Sequence, residues 1–202
     1  PLLMDVPMQT HLFYHKLLNN AYGWLTIVLM LFIVKLFFDR KDGTGLYGLR
    51  FRGADIRLYV ILLAVMVPVI YVGSLMEHFT DYYPLYKKAG GLHFSQYYGF
   101  SEWVSKVLYE FFYLTDFVNT GLFFRGFLVI GLSKLMGKNV ILPMVATYAV
   151  LHFGKPLGET ISSVFGGYIL GVIALYSRNI WGGVFIHGGI AFLMEVFAFW
   201  RQ

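Results

Sequence analysis

The stretch LYVILLAVMVPVIYVGSLM, residues 58–76, runs from Leu58 to Met76 without a single charged side chain. A helix crossing the ~30 Å hydrocarbon core needs about 20 mainly apolar residues, and ~17 suffice. This segment meets that requirement and sets the class of the whole chain. Working outward, further uncharged stretches occupy 17–34, 139–154, 160–177 and 179–194. The 17–34 and 160–177 stretches are long enough as they stand, and the other two become so by absorbing a flanking charge or histidine. The 202 residues are 58% hydrophobic and only 13% charged, with a mean hydropathy of +0.64. A soluble globular domain carries roughly twice that share of charge. The expectation is an all-α, polytopic membrane protein of about six transmembrane helices around an intramembrane cavity.

The spans read as Ala21 to Phe38, Leu58 to Met76, a long segment from Glu102 to Leu132, then Asn139 to Phe153, Ile161 to Tyr176 and Trp181 to Phe199. Pro68 is expected to bend the second span. The Glu102 to Leu132 segment is too long for one flat crossing at 1.5 Å per residue, so a tilted or broken helix is expected near Gly121. Residues 1–202 form one membrane domain: 1–101 supply two spans and an outer loop, and 102–200 supply a core. Cysteine is absent, which excludes a disulfide framework, a thiol nucleophile and a thiolate metal site. The net charge of +5 lies in loops between apolar spans, so it signals topology rather than a nucleic-acid surface. Arg40, Lys41, Arg50, Arg52 and Arg57 follow the first span, whereas Lys16 alone precedes it. The positive-inside rule then places the 39–57 loop in the cytoplasm and the N-terminus outside, in what is expected to be a bacterial inner membrane. Lys134, Lys138 and Arg178 agree; Lys87, Lys88 and Lys155 fall outside. No basic region followed by a small-residue cleavage site precedes the first span, so a signal peptide is not expected.

Polar residues inside hydrocarbon are the candidate site, because each is costly unless it faces an interior or a cavity. Arg125 lies in Thr120-Gly121-Leu122-Phe123-Phe124-Arg125-Gly126. It either snorkels to headgroups or faces the bundle and pairs with a carboxylate, for which Asp116 and Glu110 are the nearest choices. Glu110 is eleven residues from Gly121, ~16 Å along a helix, and approaches only if the helix kinks. His152 closes Tyr148-Ala149-Val150-Leu151-His152, and His187 sits in Phe185-Ile186-His187-Gly188-Gly189. Two imidazoles can orient a water, bind a divalent metal such as zinc, or stabilise an oxyanion. A metal would need a third ligand, and water activation a general base. Glu195, eight residues beyond His187, is ~12 Å away on a straight helix and is no neighbour. The pairs Gly166-Gly167 and Gly182-Gly183 are expected to mark close helix packing.

At these residues the chain resembles the CAAX-protease and bacteriocin-processing (Abi) family of intramembrane proteases. That family carries a paired-glutamate motif EExxxR, often continuing FRGFL, then FxxxH, then HxxxN. The arginine element is matched by Phe124-Arg125-Gly126-Phe127-Leu128, the second motif by Tyr148 to His152, and the third by His187 with Ala191 in place of the asparagine. The two glutamate positions fall on Thr120 and Gly121. The resemblance implies that a glutamate at 120 would activate water with the histidines, and that an asparagine at 191 would help hold the oxyanion. It covers roughly residues 102–200.

Two functions follow as expectations. One is an endopeptidase cutting a hydrophobic or lipidated peptide, with His152, His187, Arg125 and a relocated Glu110, and with a metal at the two histidines or none. The other is a catalytically silent relative that binds a membrane peptide, lipid or partner protein in the same cavity. A transporter or channel would need a pair of broken helices, and the sequence offers one break.

Overall fold

The computed structural model describes residues 6–40, 45–50 and 55–201, so Lys41 and Arg52 of the basic loop lie outside the described residues. Among the described residues ten α-helices follow one another: α1 (Met8–Phe38), α2 (Ile56–Gly73), α3 (Glu77–Tyr82), α4 (Leu85–Lys88), α5 (Gly91–Tyr98), α6 (Glu102–Thr120), α7 (Ser133–Met136), α8 (Ile141–Val150), α9 (Leu157–Ser177) and α10 (Trp181–Arg201). Between α6 and α7 the chain continues as an eleven-residue π-helix, Gly121–Gly131, and a 3₁₀ turn, Gly137–Val140, leads into α8. The protein is therefore all-α and polytopic, an integral membrane protein with several apolar spans.

The stretch from Glu102 to Val150 is 49 residues of near-continuous helix. At 1.5 Å per residue that is ~74 Å, far more than one bilayer. Gly137 turns the chain with φ +58°, a conformation glycine adopts at no steric cost, and separates two crossings. With α1, α2, α9 and α10 the bundle has six crossings, as composition leads one to expect. The helix expected to be broken at Gly121 is instead under-wound there into π geometry, which keeps its backbone hydrogen bonds inside the segment. α1 begins thirteen residues before Ala21, carried outward by an aromatic cluster in which Phe13 and Tyr86 are fully buried, beside Phe94 and Tyr109.

The basic end is held together by polar contacts. Lys134 pairs with Asp39, Tyr47 donates to Asp39 at 2.7 Å, and Arg178 donates to the Ile130 carbonyl and to Ser133. Burial pushes the Tyr47 phenol up, so it stays a donor. At the opposite end α3–α5 cover the bundle, and Glu195 of α10 accepts the Leu85 amide at 2.7 Å and the Tyr86 amide at 3.5 Å. α8 packs on α9 and on the π-helix, while α10 packs on α2, α6 and α9. α2 and α9 barely touch each other. That gap positions the site.

Candidate functional site

The π-helix carries Arg125 into the bundle, where it is 1% exposed. Room for its stem comes from Gly183: a Cβ there would lie 2.6 Å from Arg125 Cδ. The guanidinium carbon sits 5.3 Å from the Tyr148 ring centroid, and the group interacts with the phenol. Arg125 Nε and Nη1 are buried without a hydrogen-bond partner. Neither expected carboxylate reaches it. Asp116 faces Asn119, 3.3 Å away, and Glu110 lies beside Glu195 with both its oxygens buried and accepting no hydrogen bond. The physical reason is distance: Glu110 is about four turns up the same helix from Arg125, and π-winding shortens that helix by too little to close the gap.

Tyr148 joins the remaining groups. Its hydroxyl lies 3.0 Å from His187 Nε2 and 3.4 Å from Nδ1, and its ring stacks on His152 with centroids 4.6 Å apart. The two imidazole centroids are 6.3 Å apart, and Phe117 meets His187 edge-on at 4.4 Å. His152 Nδ1 is 3.0 Å from the Tyr148 carbonyl, which can only accept, so Nδ1 carries the proton. In the neutral ring that leaves Nε2 as an acceptor. The structure brings His152, His187, Tyr148 and Arg125 together and leaves Glu110 outside.

A cavity of about 310 Å³ opens above these rings, lined on its apolar side by Leu62, Val65 and Met66 of α2 and Phe165 and Ile169 of α9. Its polar end holds a residue that sequence reasoning missed, Glu159. Lys155 donates to one oxygen at 2.6 Å and Tyr83 to the other at 2.7 Å. Burial and the adjacent Glu159 push the Tyr83 phenol up, which keeps it a donor. A signal existed: Glu159 is the sole acid between Asp116 and Glu195.

Of the two positions where the resemblance implies an acid pair, Thr120 carries a hydroxyl and Gly121 is closed. A Cβ at Gly121 would meet Val184 Cγ2 at 2.5 Å, and Ala191 lines the cavity as a methyl. Among the described residues no three His, Cys, Asp or Glu side chains gather so as to hold a metal ion, so a zinc at His152 and His187 would lack a third protein ligand.

No curated protein and no solved structure matches the chain. A family model described as Type II CAAX prenyl endopeptidase Rce1-like matches residues 103–193, somewhat under half of the chain. The chain thus carries a partial match of the CAAX-protease type over the very segment that holds Arg125, Tyr148, His152, Glu159 and His187.

Proposed function

We propose that this protein is a non-hydrolysing relative of the intramembrane CAAX-type endopeptidases that binds an apolar membrane ligand in the cavity above His152 and His187. The observation that carries this reading is the missing acid pair: Thr120 and Gly121 carry no carboxylate, and at Gly121 Val184 occupies the space one would need. Two further contacts support it. His187 is engaged by the Tyr148 hydroxyl, and both oxygens of Glu159 are taken by Lys155 and Tyr83. Removing a general base costs ~10²–10⁴ in rate, and an absent oxyanion donor at 191 costs ~10²–10³ more. The distribution of basic residues supports an N-terminus on the outer side.

One observation favours a hydrolytic reading: Glu159 shares the cavity with both histidines. In that reading Glu159 leaves Lys155 and, with His152 Nε2, takes a proton from water. A single experiment separates the two. Farnesylated and unmodified hydrophobic peptides are incubated with the full chain in nanodiscs, and binding and cleavage are followed together. Binding with intact peptide is the expected result. A cleavage product that disappears in His152→Ala and His187→Ala, both retaining the wild-type Tm, overturns the proposal.

A further inference from the structure

We infer that the cavity takes a single-chain amphiphile with a compact anionic head, the tail between α2 and α9 and the head against Tyr148 and Lys155. The inference rests on the binding reading above and names its ligand class.

Volume selects the tail. A cavity of about 310 Å³ walled mainly by apolar side chains suits one slender acyl or isoprenoid chain. The route in is lateral. α2 and α9 both pack on α10 but hardly on each other, and Val65 and Phe165, which line the two sides of the gap, are exposed toward the bilayer. Gly166 faces this space with nothing within 4 Å of a Cβ built on it, unlike Gly167, whose Cβ would meet Tyr148 at 3.0 Å.

Charge selects the head. The fixed charges at the polar end are Lys155, Glu159 and, behind the Tyr148 ring, Arg125. Lys155 and Glu159 neutralise each other. Among the described residues Arg125 has no carboxylate against it, and two of its nitrogens are buried without an acceptor. It sets a positive charge behind the Tyr148 wall of an apolar cavity, while Glu110 and Glu195 act from beside Tyr113, so an anion is favoured at the Tyr148 end. Tyr148 presents a hydroxyl at the same place, and Lys155 can exchange Glu159 for the incoming head. A fatty carboxylate and a lysophospholipid phosphate share this chemistry.

The test uses the full chain in phosphatidylcholine nanodiscs, titrated with radiolabelled oleate, oleyl alcohol and oleoyl lysophosphatidic acid. Saturable one-site oleate binding is expected, with the alcohol ~10-fold weaker or worse. Lys155→Gln weakens oleate several-fold and leaves the alcohol unchanged. Gly166→Phe, which fills open space, abolishes oleate binding at the wild-type Tm. Tighter lysophosphatidic acid than oleate supports the anionic head and assigns its source. Equal affinity for oleate and the alcohol overturns the head assignment. Absence of saturable binding by all three overturns the inference; if a farnesylated peptide still binds and Gly166→Phe blocks it, the proposed function survives, and if the peptide also fails, both fall.

Discussion

Gly121 and Gly166 are both helical glycines in apolar segments, yet they do opposite things. At Gly121 the space beside the backbone is already filled by Val184, and a Cβ would stand 2.5 Å from a methyl carbon. At Gly166 a Cβ would meet nothing, because the neighbouring wall is a cavity. One glycine lets two helices close and leaves no room there for the second acid of the pair that the resemblance implies. The other belongs to a gap between α2 and α9 that stays open to the bilayer. A site shut at its chemical end and open at its apolar end suits holding a ligand better than cutting one.

The sharpest way to break the comparison is Gly121→Leu. Val184 is β-branched and stiff, so overpacking is expected to cost ~3 kcal/mol, read as a large fall in Tm in detergent. A wild-type Tm would mean that the tight region is not tight. Arg125→Met comes next, with the opposite sign. Removing a buried cation that lacks a carboxylate partner is expected to stabilise the unliganded protein by ~1–3 kcal/mol, less what the Tyr148 ring contributes. A lowered Tm would reveal a counter-charge.

At the open glycine, Gly166→Ala fills nothing and loses backbone freedom in the unfolded chain, so a gain of ~0.5–1 kcal/mol is expected. Loss of stability would place a neighbour where the cavity now lies. Glu159→Gln removes the charge pairing to a partly exposed Lys155 and leaves an amide oxygen for Tyr83. A cost of ~0–1 kcal/mol is expected, because such ion pairs contribute little.

Span number, the all-α class and the grouping of Arg125 with the two histidines were legible in the sequence, because charge-free length and isolated polar residues report directly on a hydrocarbon solvent. The partner of Arg125 was not. Adjacency along α6 suggested Asp116 or Glu110, but the arginine turns toward Tyr148 on another helix. Glu159 stands one helical turn from Lys155, and only the return of Tyr83 from the outer segment places it at a cavity. The four paired glycines read alike as close-packing positions, and three are, since Tyr59, Arg125 and Tyr148 crowd Gly182, Gly183 and Gly167. Gly166 is the exception.

The sequence by itself determined that this chain lives in a bilayer, which stretches are apolar enough to span it, and that no acid stands at 120 or 121. Those properties depend on the solvent and on residue identity alone. Tertiary structure decided which glycine faces a methyl group and which faces a void, which carboxylate shares a wall with the histidines, and that Arg125 meets a ring instead of an acid. Each of those depends on what another helix brings to the same place, and spacing along one helix carries no information about its neighbours.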